Sequence, residues 1–167
     1  DIRAFTKLSE AYSPQELLEF LNNYLRMMNP AIMEHHGFVD KFIGDAILAI
    51  FNRPDQSDAD EALDAVDSAL SMLAVLDSIN ETLSAERKAR VDIGIGIHSG
   101  NVIIVTVGFE ERMDSTVLGD TGNLASRLEN LTKYYNCPLI ISEATMALID
   151  TKKRHQTREI DLVLSLI

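Results

Sequence analysis

Apolar residues at Leu17, Leu18, Phe20, Leu21, Tyr24, Leu25 and Met28 recur at helical spacing. The residues just before them start a helix: Ser13 can cap it, Pro14 suits its first position, and Glu16 stands where a capping box needs an acid. Gly37 is a natural stop, and Pro30, which lacks a backbone donor, predicts a kink or a division on the way. Phe38 to Ile43 then alternates, Gly44-Asp45 follows, and Ala46 to Phe51 is an apolar run, so the pattern predicts a β-hairpin. After a loop at Arg53-Pro54 to Ser57, the residues Ala62, Val66, Ala69, Leu70, Leu73 and Leu76 share one face of a helix running to about Leu76. Its first turn is rich in Asp and Glu, as a helix dipole favours.

In the second half, Val91 to Ile97 reads as a strand that turns at His98-Ser99-Gly100 into another, Val102 to Val107. Asp114 to Leu118 is a short strand leading to Gly119-Asp120, and Thr121 to Tyr135 is a helix. Pro138 to Ile141 is a strand, Ser142 caps a short helix, and Arg158 to Leu166 is a last strand. Helices alternate with strands that pair as hairpins, and no repeat or linker divides the chain. The expectation is one α+β domain, a sandwich with helices flanking a mixed sheet.

With 167 residues and 46% hydrophobic residues, the chain can bury a core. Fifteen basic against 26 acidic residues give a formal net charge of −11. That field opposes a phosphate backbone or an anionic lipid surface, so nucleic acid and direct membrane contact are set aside as partners. An anionic ligand would need locally focused cations or metal ions. Cys137 is the single cysteine, which excludes an internal disulfide and a thiolate metal cluster and fits a reducing compartment. No apolar run approaches the ~20 residues of a membrane span. The opening Asp1-Ile2-Arg3 reads as the edge of a cut domain.

A few positions stand out chemically. On period-2 counting Lys41 shares a strand face with Val39 and Ile43, while Phe38, Asp40 and Phe42 share the other. A lysine among apolar neighbours either snorkels to water from an edge strand or donates at a pocket wall, and spacing leaves both open. Asp45 at the hairpin tip is ordinary turn chemistry. Paired with Asp1, it could instead hold Mg²⁺ against substrate phosphates, with Arg3-Ala4-Phe5-Thr6 offering backbone N–H groups. Asn123 and Arg127 lie four apart on one helical face, where Ser126 and Glu129 are also polar, so this stripe is either solvated surface or a contact to ribose and phosphate. Gly94 and Gly96 read as close backbone packing, His98 as a turn histidine, and His35 and His36 as helix-end or solvated residues. The spacing fits no Walker loop, Ser-His-Asp order or zinc signature.

Four blocks, taken together, resemble a known family. They are Asp1-Ile2-Arg3-Ala4-Phe5-Thr6, Lys41-Phe42-Ile43-Gly44-Asp45-Ala46, Gly96-Ile97-His98-Ser99-Gly100, and the run from Thr116 through Gly119-Asp120-Thr121-Gly122-Asn123 to Glu129. In this order and spacing they resemble the class III nucleotidyl cyclase catalytic domain over nearly the whole chain. The resemblance implies a ferredoxin-like α+β sandwich, mainly antiparallel, that dimerises head to tail with active sites at the subunit interface.

Matched position by position, it implies that Asp1, Asp45 and the Ile2 carbonyl hold two Mg²⁺ or Mn²⁺ per site, and that the loop at Phe5 and Thr6 binds phosphate. Lys41 and Thr116 match the pair that reads the base, and Asn123 and Arg127 match the residues that orient the ribose and stabilise the transition state. The metal aspartates come from one subunit and the other four side chains from its twin. Lys41 as a donor suits the unprotonated N1 of adenine, and the Thr116 hydroxyl offers a lone pair to the exocyclic amine, so ATP is preferred to GTP. The expectation is a cytoplasmic adenylate cyclase homodimer, or the cytoplasmic part of a membrane-anchored one. A guanylate cyclase and a catalytically silent nucleotide-binding module are the alternatives, and a diguanylate cyclase is disfavoured because the hairpin lacks a Gly-Gly-acidic-acidic-Phe turn. The sequence departs from the family's pattern in three places. Gly122 stands where valine is usual, Val105 where glycine is frequent, and Ile167 ends the sequence before the segment that usually supplies a phosphate-binding lysine.

Overall fold

The capping box at Ser13 forms as expected. The Ser13 Oγ accepts from Glu16 N at 3.3 Å, and Glu16 Oε2 accepts from Ser13 N at 2.9 Å. This start opens α2 in the computed structural model of the chain, which describes residues 1–109, 112–150 and 155–162, with the backbone alone over 106–109 and 112–118. Helix α1 (Phe5–Glu10) precedes it, and α2 spans Pro14–Met33. Pro30 does not divide α2: one more turn follows it, and Glu34 N donates to Pro30 O at 2.8 Å. Met28, Ala31 and Ile32 are buried around the proline, so packing holds the turn that its missing donor would loosen.

Strands β1 (Gly37–Ile43) and β2 (Ala46–Phe51) form the expected antiparallel hairpin, and Ile43 pairs with Ala46 across the two-residue turn. Gly44 supplies φ +63° there, a conformation that costs a glycine nothing. One feature of β1 is invisible to period-2 counting. Val39 pairs with Ala49 and Lys41 with Leu48, so Asp40 is the extra residue of a β-bulge.

Helix α3 (Asp58–Ala85) is capped by Ser57 and runs nine residues beyond the expected end at Leu76. Its second half is kept by burial of Leu76, Ile79 and Leu83. Buried Asn80 adds a clamp on the next segment, donating to Val91 O and accepting from Val91 N, both at 2.8 Å. Leu70, expected on the buried face, is 44% exposed. At ~1.5 Å per residue α3 is long enough to serve two cores. Its C-terminal half packs with Ile2, Tyr24, Met28, Val91 and Ile93, and its N-terminal half packs Ala62, Leu63 and Val66 with Ile149 of α5 (Glu143–Asp150). His35, just beyond the end of α2, is half-buried, and its ring pairs with Ser71 Oγ of α3 at 2.9 Å.

The remaining strands are β3 (Ile95–Ile97), β4 (Ile103–Phe109), β5 (Arg112–Leu118) and β6 (Leu139–Ile141), with α4 (Thr121–Tyr134) between β5 and β6. The turn at His98-Ser99-Gly100 does not pair its flanking strands. Instead β4 pairs antiparallel with β5, and β3 pairs in parallel with β6. The described strands thus form three two-stranded sheets, with an isolated antiparallel bridge between Ile2 and Ile93. The strand expected over Arg158 to Leu166 is not formed at residues 158–162, which are exposed, and its remainder lies outside the described residues. Among the described residues no helix is long and apolar enough to cross a membrane.

Candidate active site

Hydrogen bonds donated by backbone N–H groups fix the first residues of the chain. Gly94 N donates to Asp1 O at 2.9 Å, Arg3 N donates to Asp92 O at 2.8 Å, and Ile2 N donates to Asp45 Oδ2 at 2.9 Å. The first two lay Asp1 to Arg3 antiparallel to residues 92–94. The third draws the hairpin tip against them, so Asp45 sits beside the peptide of Ile2, next in sequence to Asp1. Two distant segments, both acidic, are brought together by the Gly44 turn on one side and the Ile2–Ile93 bridge on the other.

Tyr24 of α2 is buried close by, and its phenol is pushed well above the ordinary range, by burial first and by the negative charge of Asp45 second. Asp45 itself is half-buried. Among the described residues no three His, Cys, Asp or Glu side chains cluster as a metal cage. The set formed by Asp1, Asp45 and the Ile2 carbonyl is all oxygen, which suits a hard divalent cation that keeps waters and shares substrate phosphates.

The Phe5–Thr6 segment is not a loop. After Ala4, which adopts a left-handed φ of 53°, both residues open α1, and the Phe5 side chain packs against the core. The backbone amides at the start of a helix have no intrahelical partner, so the N–H groups remain available although the local structure differs from the expectation.

Asp1, Lys41 and Asn123 line one cavity of about 910 Å³ between the β1–β2 hairpin, α3, β3 and α4. Arg127 is exposed and lies outside its lining, as does Asp45. Asn123 is exposed as well and donates to Asp120 Oδ1 over a long 3.4 Å. The two residues keep the shared face that their spacing predicts. Thr116 lies on β5 opposite Val105, and β1 packs beside β5, but the Thr116 side chain is outside the described ones.

Helix α4 is held where it is by contacts that the sequence shows only in part. Gly96 lies directly under it: a Cβ there would overlap the Ala125 carbonyl oxygen and the Glu129 amide nitrogen. Arg3, which sequence reasoning left unassigned, reaches across to the helix end and donates to the carbonyls of Thr132 at 2.9 Å and Cys137 at 2.7 Å. Glu129, expected on the polar face with Asn123 and Arg127, turns inward beside Gly94, its side chain 12% exposed and 3.7 Å from Lys133. His98 lies in the irregular segment between β3 and β4: its Nδ1 pairs with Ser142 Oγ at 2.9 Å, and burial lowers its pKa against the raising effect of Asp120. It is a latch between β3 and α5.

The sequence model of the family described as "Adenylate and Guanylate cyclase catalytic domain" matches residues 1–163. An adenylate cyclase of Anabaena cylindrica is 45% identical over 165 residues, which cover 96% of this chain and 32% of that protein. The chain therefore spans about a third of the length of this relative. Among solved structures, the adenylyl cyclase CyaB from P. aeruginosa superposes with a TM-score of 0.82 at 33% identity, covering 90% of this chain and 77% of that one. The guanylyl cyclase Cya2 gives 0.79 at 33% identity, covering 89% and 74%. With its hairpin-tip aspartate seated against the first residues of the chain and its matched helix packed on Gly96, the chain belongs to the family of adenylate and guanylate cyclase catalytic domains.

Proposed function

We propose that this chain is a single catalytic domain of an adenylate cyclase, which converts ATP to 3′,5′-cyclic AMP and pyrophosphate as a cytoplasmic homodimer with shared sites. The observation that carries the reading is the 2.9 Å contact from Ile2 N to Asp45 Oδ2, which joins the two acidic segments that the reaction needs side by side. Our reading of the fold is a ferredoxin-like sandwich whose hairpin and first segment present these carboxylates at one end.

In the reaction the ribose 3′-oxygen bonds to the α-phosphorus, the bond from that phosphorus to the bridging oxygen breaks, and pyrophosphate leaves while the hydroxyl proton passes to solvent. Asp1, Asp45 and the Ile2 carbonyl would hold two Mg²⁺ or Mn²⁺. When bound, these ions supply charge neutralisation on the phosphates and acidify the attacking hydroxyl. The amides of Phe5 and Thr6 donate to the phosphate chain. Asn123 fixes the ribose and so removes orientational entropy from the barrier. Arg127 donates where negative charge grows on the α-phosphate, a contribution of about 3–4 kcal/mol by analogy with other preorganised donors.

Lys41 donates to adenine N1, and Thr116 accepts from the exocyclic amine. Asp45 and Arg127 both lie outside the cavity that Asp1, Lys41 and Asn123 line, and in line with the family resemblance we assign Lys41, Thr116, Asn123 and Arg127 together to the site whose aspartates the partner subunit supplies. A guanylate cyclase is the second reading, since the Thr116 hydroxyl can donate as well as accept. Incubating the protein with ATP or GTP and Mn²⁺ and weighing the products separates the two. Cyclic AMP and pyrophosphate from ATP are expected; predominant cyclic GMP overturns the base assignment, and no cyclic product from either overturns the enzymatic one.

A further inference from the structure

The bulge in β1 has a chemical consequence. Adjacent residues of a regular strand point to opposite faces, and on that rule Asp40 and Lys41 cannot meet. The extra residue at Asp40 breaks the alternation, and Lys41 Nζ lies 3.1 Å from Asp40 Oδ2. The Asp40 side chain is 1% exposed, whereas that of Lys41 is 34% exposed and reaches the cavity. Both carboxylate oxygens of Asp40 are closed off from solvent, and neither takes a hydrogen bond among the described residues. A charge in that position is costly unless a cation faces it, and Lys41 is the cation that does. The pair is an anchor with a buried end and a working end.

We propose that Asp40 is a positioning residue that fixes the Lys41 ammonium at the cavity wall and thereby sets the choice of base. The inference rests on the reading of Lys41 as the donor to adenine N1. A flexible lysine has three rotatable donors and four torsions, so it can meet the acceptor of guanine as readily as that of adenine. Tethered to a buried carboxylate, the ammonium is held in one place. Specificity then depends on a residue that itself never touches the nucleotide.

The test is a double-mutant cycle read as the ratio of kcat/KM for ATP to that for GTP, in the full chain with Mn²⁺, for Asp40→Asn, Lys41→Gln and the double variant. Asp40→Asn is expected to lower the ratio about tenfold, mainly through KM for ATP, as loss of one charge-assisted contact would. In the Lys41→Gln background the same change is expected to leave the ratio where Lys41→Gln alone put it. A ratio unchanged by Asp40→Asn, or equal effects in both backgrounds, overturns the positioning role. A ratio unchanged by Lys41→Gln overturns instead the assignment of Lys41 as base reader. Where Asp40→Asn yields no folded protein, Asp40→Glu keeps the charge but moves the ammonium. It is expected to lower the ratio in the same way, and an unchanged ratio there likewise overturns the proposal.

Discussion

Replacing Asp45 by Ala is expected to lower the rate of cyclic AMP formation by about 10³-fold or more, because it removes a carboxylate from the set that would bind the divalent ions. The same change deletes the acceptor of the Ile2 N–H, so some stability is lost with it, on the order of 1 kcal/mol for a single net hydrogen bond. The two effects separate in Asp45→Asn. Its amide oxygen still accepts from Ile2, so the melting temperature stays near that of the parent while turnover stays lost. Steady-state rates with Mg²⁺ and with Mn²⁺, beside thermal unfolding curves, make the comparison. An Asp45→Asn protein that cycles ATP at the parent rate contradicts the metal assignment.

Gly96→Ala is the second large effect, and it acts without touching any group that meets the nucleotide. The new methyl would overlap two backbone atoms of α4, Ala125 O and Glu129 N, neither of which can rotate aside. The helix must therefore lift off β3, and overpacking of this kind costs about 1–3 kcal/mol. Asn123 and Arg127 ride on that helix, and a displacement of about 1 Å at a reacting centre can cost about 10²-fold in rate. The expected result is a folded protein with a lowered melting temperature and a kcat reduced by about that factor. A parent-like kcat would mean that α4 does not set the geometry of the site.

The elements most visible in the sequence were those set by local chemistry. The Ser13–Glu16 box, the Gly44-Asp45 turn and the Thr121 helix each follow from residues within a few positions of one another. Features that depend on distant partners were hidden. Pro30 predicts a kink or a division until the burial of Met28 and Ile32 is known, and Leu76 looks like an end until Asn80 is seen clamping Val91. Strand pairing failed for the same reason: the partner of β3 is β6, some forty residues on, and no local turn announces a parallel pair. At the site, residue identities were legible and orientations were not. A bulge of one residue reversed the expected relation of Asp40 to Lys41, and Glu129 turned inward beside Gly94, whose missing side chain leaves it room. The role of the Arg3 side chain was hidden, since its guanidinium meets carbonyls more than a hundred residues away.

The central claim is that each site takes its acidic groups from one subunit and its arginine from the other, and mixing two inactive chains tests it directly. Asp45→Ala and Arg127→Ala are each expected to be nearly inactive alone. In an equimolar mixture half the dimers are mixed, and each of those keeps one intact site of two, so activity should return to about a quarter of the parent level. A mixture no more active than the two variants separately, under conditions where mixed dimers are shown to form, contradicts the shared site.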